Sequence, residues 1–101
     1  MAKYILVAMN GPTPGEGHED IYNQWYNDVH VPDLLKVPGI NAAKRYRVVG
    51  GNISLPYVAL YEIESDNIDE TLKAIEGTIS PFHETFDRSV SRSIVAVALD
   101  D

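Results

Sequence analysis

Cysteine is absent from the 101 residues. That excludes a disulfide framework and thiolate chemistry, and it is compatible with a reducing, cytoplasmic setting. Basic residues are few: 8 Lys and Arg stand against 15 Asp and Glu, a formal net charge of −7. Nucleic acid and anionic lipid both call for a basic face, so neither is an expected partner. No apolar run reaches the ~20 residues that cross a membrane. The apolar start, Met1 to Met9, runs into Asn10-Gly11-Pro12 rather than a small-residue cleavage site, and is read as a strand rather than a signal peptide. The three histidines, His18, His30 and His83, show no metal-ligand spacing, so no metal is expected. Gly11-Pro12-Thr13-Pro14-Gly15 places prolines where a phosphate loop needs backbone donors, and no nucleophile elbow is visible.

What is present suits one domain over 1–101. Lys3 to Met9 is a strand, apolar on both parities. A Gly- and Pro-rich loop from Asn10 to His18 is long enough to act as a lid. Glu19 and Asp20 favour a helix start, and Ile21, Tyr22, Trp25, Tyr26 and Val29 recur at helical spacing. Pro38-Gly39 ends that segment. Ile40 to Val49 reads as a second strand, with Lys44 and Tyr46 sharing the face of Ile40, and Arg45 and Arg47 on the other. Those arginines are expected to be solvated or paired between subunits. Pro56 to Glu64 is a third strand. Asn67 and Glu70 have capping-box spacing before Ile68, Leu72 and Ile75, with Gly77 as a stop. Ser80-Pro81 starts a short helix carrying Phe82, Phe86 and Val90, on which His83 and Asp87 are spaced to pair. Ser93 to Leu99 is the last strand, again apolar on both parities.

The order β-α-β-β-α-β implies a ferredoxin-like α+β fold with an antiparallel sheet. Two helices cover one face only, yet the first and last strands are apolar on both. A second copy packed face to face is therefore expected, giving a homodimer.

His30 stands out chemically. Pro32 cannot supply a backbone N–H to the carbonyl of Asp28 and disfavours the α region at Val31, so the helix is expected to kink or restart after His30, with Pro32 in a new first turn. Tyr26 lies one turn before His30 and Asp33 three residues after it. Histidine moves protons near neutral pH. Asp33, or Asp28, can orient the ring, and Tyr46 on the next strand can bond a substrate carbonyl. Trp25, Tyr26, Tyr61, Phe82 and Phe86 are candidates for an aromatic wall around a flat substrate, and His83 for a second acid/base group.

From Trp25 to Tyr46, the aromatic helix, His30, Pro38-Gly39 and Arg45-Tyr46 resemble the dimeric α+β barrel superfamily. The spacing from His30 to Pro38-Gly39 is similar to that of the EthD-like branch and of methylmuconolactone methylisomerase. The resemblance implies a pocket between sheet and helices, with His30 as acid/base or substrate-binding group. It also implies a cofactor-independent lyase or isomerase (a decarboxylase, dehydratase or cyclase) acting on a cyclic or aromatic carbonyl compound, with catalytic His30, Tyr46 and Asp33. The alternatives it carries are a cofactor-free monooxygenase of the antibiotic-biosynthesis type, haem chemistry with His30 or His83 as axial ligand, and a non-catalytic dimeric ligand-binding domain.

Overall fold

The computed structural model describes residues 1–100. Four strands, β1 (Ala2–Asn10), β2 (Ile40–Arg47), β3 (Tyr57–Ser65) and β4 (Arg92–Val97), form one sheet in the order β2-β3-β1-β4. Every neighbouring pair is antiparallel. Between β1 and β2 the chain runs through α1 (His18–Trp25), a π-turn (Tyr26–His30) and α2 (Val31–Leu35). Between β3 and β4 lies α3 (Ile68–Thr78). This is the ferredoxin-like α+β fold, with the helices on one face of the sheet. No helix among the described residues is long and apolar enough to cross a membrane.

The helix-facing side of the sheet carries Tyr4, Leu6 and Ala8 of β1 and Ala59, Tyr61 and Ile63 of β3, which pack with Tyr22, Tyr26, Leu34, Val37 and Phe86. The strict alternation along β3 explains its in-out burial from Ala59 to Ser65. Asn67 caps α3, its side chain accepting from the Glu70 N–H at 3.3 Å. The helix passes Gly77 and ends at Thr78, one residue beyond the expected stop.

A new α-helical piece starts at Val31 with Pro32 in its first turn, the restart expected after His30. The expected shift of Val31 out of the α region does not occur. Val31 keeps α geometry (φ −61°, ψ −48°), and its N–H reaches back five residues to the Tyr26 carbonyl. A turn widened by one residue takes up the proline without leaving helical space. The helix expected at Ser80-Pro81 does not form. The Ser80 N–H is instead bound to Asp33 Oδ2 at 2.8 Å, and Val90 is exposed. The expected His83–Asp87 pair also fails: His83 Nδ1 bonds Thr85 Oγ1 at 2.9 Å, while Asp87 Oδ1 accepts from Ser89. The long loop after β1 is tied to this irregular segment. The Thr13 N–H donates to the Thr85 carbonyl at 2.8 Å and the Asp87 N–H to the Gly11 carbonyl at 3.1 Å.

Candidate active site

A cavity of about 200 Å³ lies between the helices and the sheet. Leu6, Ala8 and Asn10 of β1 and Tyr61 of β3 form its floor. Tyr26, His30 and Leu34 form one wall, Ile75, Ile79, Phe82 and Phe86 another, and Ser91 and Ser93 border its edge. A larger groove of about 370 Å³ lies on the opposite face of the sheet, by Ile5, Glu62 and Ala96. Three buried polar atoms are without a hydrogen-bond partner among the described residues: His30 Nδ1, Tyr61 Oη and Arg45 Nε. His30 and Tyr61 border the smaller cavity and none borders the larger groove, so the smaller one is the candidate site.

His30 is 8% exposed. Its ring stacks on Trp25 with centroids 5.0 Å apart and planes 25° apart, and meets Tyr26 edge-on at 4.9 Å. Phe82 closes the other side at 5.4 Å. Burial in this aromatic box pushes the imidazole pKa down from 6.5 to about 4, with Asp33 opposing the shift and Arg45 adding to it. The ring is therefore neutral at pH 7. Burial also raises the Tyr61 phenol above its ordinary range, helped by the adjacent Tyr26 phenol, so it stays a hydroxyl.

Asp33 and Tyr46 are not brought to His30 as expected. Asp33 is buried but committed elsewhere: it accepts from Ser80 and pairs with Lys36 at 3.5 Å. Those contacts, the Ser80 backbone bond foremost, hold its carboxyl below the usual range. Asp28 is exposed. Tyr46 is 47% exposed and lies under Lys44 on the face away from the helices. The cause is a β-bulge at the start of β2, where Ile40 pairs with Ile63 but Ala42 pairs with Glu62. The extra residue, Asn41, reverses the parity of every residue that follows.

Arg45 takes the inward place. Its guanidinium sits 4.1 Å over the Tyr26 ring and bonds Asn23 and Asn27, each at 3.0 Å. A second polar chain runs from Tyr22 through Asn10 to Tyr26: the Tyr22 hydroxyl donates to Asn10 Oδ1, and Asn10 Nδ2 donates to the Tyr26 oxygen at 3.4 Å. Of the other aromatic candidates, Tyr26, Tyr61, Phe82 and Phe86 line the cavity. Trp25 backs His30 from outside, and His83 lies behind Trp25 at 6.3 Å. Asn10 escaped the sequence reading, and Arg45, expected to be solvated or paired between subunits, lies over Tyr26 instead. Asn10 was legible from the β1 alternation, since it shares the parity of Leu6 and Ala8; Arg45 needed the bulge. Among the described residues no cluster of His, Cys, Asp and Glu could hold a metal ion.

No protein-family model matches the chain, and no curated protein matches it. Solved structures share its fold. A DABB family protein with a ferredoxin-like fold from Mesorhizobium loti superposes with a TM-score of 0.67 at 10% identity, covering 98% of this chain and 99% of that one. An EthD family protein from Bacillus halodurans gives 0.55 at 14% identity, covering 95% and 97%. A dimeric ferredoxin-like protein of unknown function from Jannaschia sp. gives 0.58 at 11% identity, covering 92% and 96%. The likeness is one of fold, the ferredoxin-like fold.

Proposed function

We propose that the chain is a small enzyme of the lyase or isomerase type that works without a cofactor on a cyclic or aromatic carbonyl compound, with His30 as the general acid/base. The observation that carries this reading is a buried, uncharged imidazole whose Nδ1 has no partner and which borders an apolar cavity. A neutral imidazole can accept a proton at pH 7. Tyr61, with its own unpartnered hydroxyl on the same cavity, replaces Tyr46 as the donor to the substrate carbonyl oxygen, where charge builds as the proton leaves. The Trp25 stack, rather than a carboxylate, holds the ring plane. An imidazole with a pKa near 4 is a weak base. It therefore suits a carbon acid already activated by conjugation or by a second carbonyl.

The test is deuterium uptake in D2O at the carbon beside the carbonyl, followed by NMR over a panel of cyclic and aryl ketones. Catalysed exchange is expected, with a loss of roughly 10²- to 10⁴-fold in His30→Ala. Equal exchange rates in the two folded proteins would refute the role of His30. One observation favours a second reading, a non-catalytic binding domain: no carboxylate bonds His30, because Asp33 is held by Ser80. Ligand binding without any exchange would identify that case.

We also infer a homodimer through the outer face of the sheet. That face presents Ile5, Val7 and Met9 of β1, Val58 and Leu60 of β3, and Ile94 of β4, with Ile94 left 55% exposed in the single chain. An apolar surface of this kind on a small domain calls for a cover. Light scattering at micromolar concentration should give twice the 11.2 kDa of one chain; a stable monomer would overturn the inference.

A further inference from the structure

We propose that the His30 cavity selects an uncharged, single-ring ligand with one hydroxyl or carbonyl head group, and rejects the carboxylate and ammonium counterparts of that ligand. This rests on the reading that the cavity is the ligand site. It specifies what that site admits.

Charge comes first. The cavity lining contains no Asp, Glu, Lys or Arg. The nearby cation, Arg45, lies over the Tyr26 ring with its two Nη atoms bonded to Asn27 and Asn23. The nearby anion, Asp33, is bound to Ser80 and Lys36. An ionised ligand entering the cavity would lose its hydration and find no counter-charge, which is costly. A carboxylate could recover a counter-charge only by protonating His30, and the aromatic box opposes that charge. With the ring titrating near 4, protonating it at pH 7 costs the carboxylate up to about a thousandfold in affinity.

Hydrogen bonding comes second. Asn10 is already used on both sides, by Tyr22 and Tyr26. That leaves His30 and Tyr61, two residues that border the cavity, each with a buried polar atom, Nδ1 and Oη, that has no partner. Leaving such atoms unmatched is unfavourable. One small head group, a hydroxyl or a carbonyl, can answer them. Apart from Ser91 and Ser93 at the edge, the rest of the wall is mainly hydrocarbon, with Phe82 and Phe86 tilted against each other at 4.7 Å. At about 200 Å³ the space lies below the ~300–1,000 Å³ of drug-sized pockets, which favours one ring over a fused system.

The chain has a single tryptophan, Trp25, and it stacks on His30, so its fluorescence reports occupancy. The experiment titrates the intact protein at pH 7 with p-cresol, acetophenone, toluene, benzoate and benzylammonium, reading Trp25 emission and calorimetric heat. The expected result is that p-cresol or acetophenone binds at least about tenfold tighter than either ion. The same ligand should bind about 3- to 10-fold tighter than toluene. In Tyr61→Phe the margin over toluene should shrink while toluene itself binds as before; if that variant does not fold, the wild-type ranking decides alone. Benzoate or benzylammonium binding as tightly as the neutral ligands would overturn the proposal, as would a neutral head group with no margin over toluene. Tight benzoate binding that His30→Gln abolishes would discard the ligand class but keep the site. No heat and no emission change with any ligand would discard both.

Discussion

Acidification should unfold this protein earlier than its carboxylates alone would dictate, because His30 is buried uncharged. In the unfolded chain the imidazole takes up a proton near its ordinary value of 6.5; in the fold it does so only near 4. Between those values the unfolded state binds more protons, so stability falls as pH falls. The contribution is fully present above pH 6.5, is lost on the way down to about pH 4, and changes no further below that. A gap from 6.5 to about 4, at ~1.4 kcal/mol per pH unit, corresponds to about 3 kcal/mol. That is a large share of the ~5–15 kcal/mol that holds a typical domain together. Asp33 adds a separate loss: its depressed carboxyl stabilises the fold above its ordinary value of 3.8, and that stability disappears as pH drops further. The two windows do not overlap much. Urea titrations followed by Trp25 emission, at fixed protein concentration and at half-unit steps from pH 7.5 to 4, cover the histidine window and stop above that of Asp33. Repeating them with His30→Leu removes the histidine while retaining the carboxylates. The wild type should lose about 3 kcal/mol more than the variant over that range. A difference below about 1 kcal/mol, or an imidazole that NMR shows titrating near 6.5, would refute the buried-neutral account.

Two further outcomes follow from the backbone. Gly39 has φ +96°, and a Cβ there would stand 2.5 Å from the Glu64 carbonyl oxygen. Gly39→Ala should therefore cost at least about 2 kcal/mol in a urea titration; a loss under 0.5 kcal/mol would contradict the tight crossing. Tyr46→Phe should leave ketone deuterium exchange within about twofold of wild type, because the ring lies on the far face of the sheet. A drop of tenfold or more would return Tyr46 to the site.

Much of the fold was legible because its signals are local. Strand parity placed β1 and β3, Asn67 with Glu70 announced α3, and the dipole-favouring Glu19 and Asp20 lie in the first turn of α1. His30, Tyr26, Tyr61, Phe82 and Phe86 came together because each lies on an element whose facing is set by simple periodicity or, for the two phenylalanines, by their own apolar bulk. The Ser80-Pro81 helix was misread for a reason the sequence hides. A Ser-Pro pair can start a helix, but here the Ser80 N–H is claimed by a carboxylate 47 residues away. Long-range competition of that sort leaves no trace in spacing.

The two errors at the site itself share one physical cause. Each is a single residue inserted into a regular element. On an α-helix, residues five apart point about 140° away from each other, so Trp25 and His30 should not meet. The π-turn from Tyr26 to His30 removes that offset and lets them stack at 5.0 Å. Asp33 follows the turn and bonds Ser80, not His30. On β2, the bulge at Asn41 turns Tyr46 out and Arg45 in. Periodic reading assumes constant 3.6 and 2.0 repeats, so it fails wherever the repeat gains one. The π-turn supplies Tyr26 and His30 to the cavity wall, whereas the bulged Asn41 borders the groove on the opposite face; π-turns and bulges concentrate at functional sites because they aim side chains that regular geometry cannot. The one-residue irregularities thus do two jobs: the π-turn stacks His30 on Trp25, and the bulge sets a cation behind Tyr26 instead of in the cavity. The result is a neutral, aromatic pocket built by a chain whose net charge is −7.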